Sequence, residues 1–258
     1  MGNISVGQFE LVYNAFSFTI AVMGAATLFS FLGRSQVAPA YRTALTLTGI
    51  VTLIAGYHYI RIFNSWESAF TLINGKLTLT GIPFNDAYRY VDWLLTVPLL
   101  LIELILVMRL PPAETVSKGF RLGLLAALMI VLGYPGEIAT SNGSRWLWWA
   151  LAMIPFAIIV YELYVGLRAS IDSQPSAVKG LVSTARTLTI VSWCFYPVVF
   201  IFPMIGFTDA GATTAVQVGY TIADILAKAV LGVLIYLIAV RKSAVEFPAR
   251  QLELATQQ

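Results

Sequence analysis

Lys228 stands near the middle of an apolar run from Thr213 to Val240. A charged ammonium at the centre of a hydrocarbon layer costs at least several kcal/mol unless it is paired or chemically altered. With about 12 residues of helix on either side, it cannot snorkel to an interface. Its amine therefore forms a Schiff base with a carbonyl ligand, or pairs with a buried carboxylate, or both. Asp224, four residues earlier, shares its helical face about 6 Å away. A second run carries Arg89, Asp92, Thr96 and Glu103. Counting about 100° per residue from Asp92 puts Glu103 at about 20°, Thr96 at about 40° and Arg89 at about 60°. The rise from Asp92 to Glu103 is about 16 Å. Two acids so spaced flank a midplane group from opposite sides, as a directional proton carrier requires. Asp92 and Asp224, beside Lys228 and Arg89, are expected to be ionised. Glu103, among Leu99, Leu100, Ile102 and Leu104, is expected to hold a proton. Trp193, Tyr196 and Pro197 fall at i, i+3 and i+4 beside a proline bend. Trp93 follows Asp92, and Tyr220 lies one turn before Asp224. Together these rings would wall a long, flat, conjugated ligand.

The elements that position these groups follow from composition. The chain is 58% hydrophobic and only 11% charged, where a soluble domain carries about 25% charged residues. That excludes an ordinary soluble globule, a disordered chain and a disulfide scaffold; Cys194 is the single cysteine. Sixteen basic residues strung between apolar runs make no basic face, so no nucleic acid partner is expected, and no metal site either. Seven windows are long and apolar enough to span a bilayer. They run near Phe9–Gly33, Ala44–Phe63, Ala87–Met108, Phe120–Tyr134, Trp146–Leu167, Val182–Ile205 and Thr213–Val240. The first is too long for a signal-peptide core and lacks a cleavage site, so it reads as a retained span. The expected fold is an all-α membrane protein, a seven-transmembrane-helix bundle forming one domain over residues 1–258. Between the second and third spans, Asn74-Gly75 followed by alternating Lys76-Leu77-Thr78-Leu79 predicts a β-hairpin with a primed turn. Residues 242–258 read as a frayed polar tail.

Eleven lysines and arginines fall at one end of these spans (Arg34, Arg42, Arg109, Lys118, Arg121, Arg168, Lys179, Arg186, Arg241, Lys242 and Arg250) and four at the other (Arg61, Lys76, Arg89 and Arg145). Basic residues are retained in the cytoplasm, which puts the C-terminus inside and the N-terminus outside.

The segments Arg89-Tyr90-Val91-Asp92-Trp93-Leu94-Leu95-Thr96, Gly133-Tyr134-Pro135-Gly136-Glu137, Trp193-Cys194-Phe195-Tyr196-Pro197 and Asp224-Ile225-Leu226-Ala227-Lys228 resemble those of type-1 microbial rhodopsins, close to proteorhodopsins and xanthorhodopsin-like pumps. The resemblance covers nearly the whole chain. It implies all-trans retinal held on Lys228 as a protonated Schiff base, with Trp93, Leu100, Gly133, Trp193, Tyr196, Pro197 and Tyr220 around it. Asp92 would be counterion and proton acceptor, Asp224 the second counterion, Glu103 the cytoplasmic donor and Arg89 the release gate. The Asp92, Thr96 and Glu103 triplet matches outward proton pumps, an ion transporter rather than an enzyme. His58, the single histidine, reads either as a packing residue or, by resemblance, as a hydrogen-bond partner that tunes the acceptor's acidity. Glu137 resembles a carboxylate near the exit path. Leu100 at its position implies green rather than blue absorption. Trp149 stands where some relatives keep a glycine that admits a carotenoid, so no carotenoid antenna is expected. The resemblance further implies a homo-oligomer, with a pentamer favoured, in a bacterial cytoplasmic (inner) membrane. A photosensory rhodopsin signalling through a membrane partner is the alternative, against which Glu103 weighs because sensors need no carboxylate donor.

Overall fold

A computed structural model of the protein describes residues 4–248. Seven helices follow one another: α1 (Val6–Gly33), α2 (Arg42–Ala69), α3 (Tyr88–Met108), α4 (Pro112–Glu137), α5 (Asn142–Asp172), α6 (Ser176–Phe200) and α7 (Ala210–Glu246). All but α6 are long and apolar enough to cross a membrane. The helix α6 has the length, but Lys179, Ser183, Thr184, Arg186 and Thr187 dilute its first half.

Local chemistry sets the helix ends. At α1, Gln8 N donates to Ser5 Oγ and Ser5 N donates to Gln8 Oε1, a reciprocal capping box. Asp209 caps α7 through Ala212 N at 2.6 Å. At the other end of α3, Arg109 turns left-handed at φ 54° before Pro111 and Pro112 start α4. That start lies well ahead of the window expected for the fourth span, so the shortest sequence window is a helix of 26 residues.

The strands β1 (Phe70–Ile73) and β2 (Lys76–Leu79) pair antiparallel, with Phe70 opposite Leu79 and Ile73 opposite Lys76. Asn74 and Gly75 both have positive φ, 53° and 75°, which is the primed turn that Asn-Gly favours. The hairpin follows α2 directly, and Phe70 packs with Trp66, Phe16 and Tyr59 in a buried cluster.

Neighbouring helices pack in sequence order from α1 to α5, and α7 closes the ring against α1, α2, α3 and α6. Large apolar side chains such as Phe18, Leu28, Leu53, Phe120, Leu124 and Tyr164 face outward, the inverse of a soluble surface. Polar and charged groups turn inward instead: Arg89, Asp92, Glu103, Asp224 and Lys228 are all buried. Two helices widen to wide-turn, i to i+5 geometry, α5 at Glu162–Gly166 and α7 at Ile225–Val230. Such bulges gather at functional positions, and the one in α7 carries Lys228. The helix α7 runs on to Glu246 with Lys242 and Ser243 buried, which corrects the expected start of a frayed tail at 242. Polar side chains there bond to the end of α3, the α1–α2 connection and the α5–α6 turn. The rest of that expected tail, 249–258, lies outside the described residues.

Candidate functional site

Lys228 Nζ donates to Asp92 Oδ2 at 2.5 Å and to Asp224 Oδ1 at 3.1 Å. The ammonium and both carboxylates are at most 1% exposed. The i, i+4 spacing on α7 supplies the Asp224 contact, and the α3–α7 packing supplies Asp92. Asp224 is further held by Tyr196, whose hydroxyl donates to Oδ1 at 2.6 Å, and by Tyr59, whose hydroxyl donates to Oδ2 at 2.7 Å. Asp92 Oδ1 has no protein partner. One lysine facing two acids leaves a net negative trio in the interior, and Arg89, 2% exposed, is a second buried cation. Its guanidinium lies 4.9 Å from the Tyr220 ring centre and 5.7 Å from that of Phe16. Its ion-pair partner is Asp86 at 3.4 Å, which also accepts from Gln217 Nε2 at 3.0 Å. Thr96 shares the buried face, but its hydroxyl returns to Asp92 O at 2.8 Å.

A cavity opens from Lys228 between α3, α4, α5, α6 and α7, with about 780 Å³ of non-atom space, its open side included. The residues predicted to hold a flat ligand all line it: Trp93, Leu100, Gly133, Trp193, Tyr196, Pro197, Tyr220 and Lys228. The Trp93 ring stands edge-on to Tyr196 at 5.0 Å and to Tyr220 at 5.8 Å, and its Nε1 has no partner. A Cβ on Gly133 would sit 3.3 Å from the Tyr90 ring, so the glycine keeps that wall thin. Trp149 also lines the cavity, and its Nε1 donates to Pro197 O at 3.0 Å. The wall made by Met129, Ala152, Met153 and Phe156 is not legible in the sequence, since apolar residues in apolar helices carry no contrast.

Glu103, 0% exposed, accepts from Thr48 Oγ1 at 2.9 Å on Oε2, while Oε1 has no partner. Thr48 was missed, and so was Tyr59. The available signal was a hydroxyl repeating through an apolar helix, Thr48 and Thr52 in α2, and a tyrosine beside the single histidine. His58 is buried, with Nδ1 at 2.9 Å from Ile54 O. A hydrogen bond from His58 to Asp92, expected from the resemblance, is not among the described contacts. Glu137 ends α4, whose last carbonyls, Gly136 O and Glu137 O, accept from Arg145 at 3.4 and 3.3 Å.

The family described as bacteriorhodopsin-like protein matches residues 11–242. Among solved structures, xanthorhodopsin, titled a light-driven ion pump with dual chromophore, is 52% identical with a TM-score of 0.91, over 94% of this chain and 97% of that one. A thermophilic rhodopsin is 44% identical with a TM-score of 0.93, over 96% and 99%. The green-light absorbing proteorhodopsin of Gamma-proteobacterium EBAC31A08 is 29% identical over 235 residues, covering 90% of this chain and 88% of the relative. A match across nearly the whole helix bundle, from α1 to the last turns of α7, means that the chain belongs to the bacteriorhodopsin-like family, the type-1 microbial rhodopsins, and is a multi-pass membrane protein.

Proposed function

We propose that the protein is a light-driven outward proton pump carrying retinal on Lys228. The observation that carries this reading is the buried Lys228 Nζ set against Asp92 at one end of a ring-lined cavity, with buried Glu103 further along α3. The residues suit the chromophore: an amine to condense with its aldehyde and release water, flat aromatic walls for a polyene, and thin packing at Gly133. Bound there as a protonated Schiff base, retinal would supply light absorption and an isomerisation that moves the nitrogen relative to its acids. Asp92, with Oδ1 bare, takes the proton. Asp224, satisfied by two tyrosine hydroxyls, stays charged and holds the cation in place. Glu103, whose Oε2 lies 2.9 Å from Thr48 Oγ1, returns a proton from the other side. Arg89, paired with Asp86, gates release, because its fixed positive charge favours the ionised form of nearby acids and so the loss of the proton to the outside. Moving one charge against 100 mV takes about 2.3 kcal/mol, far less than a visible photon carries, so the residues must enforce direction rather than find energy.

The same reading places the N-terminus outside and the C-terminus in the cytoplasm of a bacterial inner membrane, with several copies assembled together and no carotenoid antenna. It is tested by adding all-trans retinal to the purified protein and to Lys228→Ala, and by illuminating intact cells. A visible band lost in the variant, with acidification of the medium abolished by a protonophore, is expected. No band, or alkalinisation of the medium, overturns the reading.

A further inference from the structure

A second lysine is buried at the Glu103 end of the bundle, and the proposed pump makes no use of it. Lys242 is 2% exposed. Its Nζ donates to Met108 O at 2.7 Å and to Gln174 Oε1 at 2.8 Å. It also lies 3.5 Å from Glu246 Oε1 and 5.6 Å from the Tyr41 ring centre. The partners come from separate elements: Met108 ends α3, Gln174 sits in the turn between α5 and α6, and Tyr41 immediately precedes α2. Gln174 Nε2 donates to the same Met108 O at 3.1 Å. One turn further along α7, Glu246 accepts from Arg109 Nη1 at 2.7 Å and from the Tyr41 hydroxyl. Ser243 Oγ accepts from Ala38 N at 2.8 Å.

A buried ammonium persists only where its protons are taken up, and here three acceptors face three donors. Met108 O is one of the carbonyls α3 leaves unpaired at its C-terminus, where the helix dipole also favours a cation. Between this polar layer and the Thr48–Glu103 pair lie Leu45, Leu104, Val107, Ile235 and Ala239, none more than 1% exposed. None of these five side chains has a group that can pass a proton to Glu103.

We propose that the Lys242 clasp on Met108 and Gln174 is the gate through which Glu103 is resupplied with a proton. Closed, it ties the ends of α3 and α7 to the α5–α6 turn over the dry layer. Released, it lets water reach the carboxyl. Lys242 is a positioning residue, and its role rests on the reading of Glu103 as donor.

The test compares Lys242→Met, which keeps length and removes all three donors, with Lys242→Arg, which keeps donors. In retinal-loaded protein in lipid, proton transfer to Asp92 and later uptake at the Glu103 end are followed after a flash with a pH dye. Uptake is expected to quicken about tenfold in Lys242→Met, the scale of one lost charged hydrogen bond, with transfer to Asp92 unchanged and Lys242→Arg near the parent rate. Amide hydrogen exchange in the dark, over residues 104–109 and 170–176, is expected to speed in Lys242→Met and recover in Lys242→Arg. Gln174→Ala, in the turn, should act in the same direction and serves if Lys242→Met does not fold. Slower uptake would make Lys242 a relay and overturn the gate, as would unchanged uptake and exchange. With no visible band at all the pump reading falls and the gate with it; a band with unchanged uptake removes the gate alone.

Discussion

Two carboxylates meet one ammonium, yet they are not equivalent. Asp224 accepts from Lys228, Tyr196 and Tyr59, whereas Asp92 accepts from Lys228 alone and leaves Oδ1 bare. A buried oxygen without a donor is costly, so protonation relieves Asp92 and would strand the two tyrosine hydroxyls on Asp224. That difference supports Asp92 as the proposed acceptor. Asp92→Asn keeps the shape and removes the acceptor; light-driven acidification, read with a pH electrode on intact cells, is expected to fall by at least about a hundredfold, the usual weight of a general base. Acidification that persists in the variant would move the acceptor to Asp224. Tyr196→Phe tests the other half of the argument. It removes one donor to a buried carboxylate, which costs about 1.5–3 kcal/mol, and thermal unfolding of the purified protein should shift down accordingly. An unshifted transition would mean that Tyr59 and Lys228 satisfy Asp224 without help.

Helix-to-helix fit carries the donor side. Gly232 on α7 lies against Thr48 on α2, so that a Cβ there would meet Thr48 Cγ2. Thr48 is β-branched and fully buried, and in a helix it has few rotamers to escape into. Gly232→Ala should therefore push Thr48 off Glu103 and cost about 1–3 kcal/mol of overpacking. The check is a lower melting temperature together with a shift of the Glu103 carboxyl stretch in the infrared, which a Thr48→Val variant should reproduce without the packing cost. A stretch that stays put in both would dissociate Thr48 from the donor. Nothing in the sequence marks Gly232, because a glycine in an apolar helix announces no neighbour. Lys228 and Glu103 were legible for the opposite reason: each is a charge in a long apolar run, where only function or pairing keeps it. The hairpin was legible through Asn74-Gly75, whose backbone demands are local. Lys242 and Glu246 read as tail because their partners, Tyr41, Met108, Arg109 and Gln174, lie 68 to 205 residues away along the chain for the bonded pairs, and polarity without those partners looks like solvation.

At the scale of the whole molecule, the direction of pumping depends on which way the bundle sits in the membrane, and the helices fix only that the hairpin and α6's first residues lie at opposite ends. The hairpin lies between α2 and α3, and Lys179 at the start of α6. By the positive-inside bias, eleven basic residues against four favour the proposed orientation with the Lys179 end in the cytoplasm. Lys228 is left out of that count, being buried between two acids, and Lys242 contributes less than its number suggests because it too is buried. Arg89, equally buried, drops from the other side, and ten against three leaves the bias intact. Cys194, exposed on α6, is the one native thiol, so Cys194→Ser gives a clean background for Lys76→Cys in the turn of the hairpin or Lys179→Cys. A membrane-impermeant maleimide added to intact cells should label the Lys76→Cys protein and spare the Lys179→Cys protein until the cells are opened. The reverse pattern would turn the bundle over. Asp92 would then discharge towards the cytoplasm and Glu103 would load from outside, and the same acceptor and donor pair would pump inward.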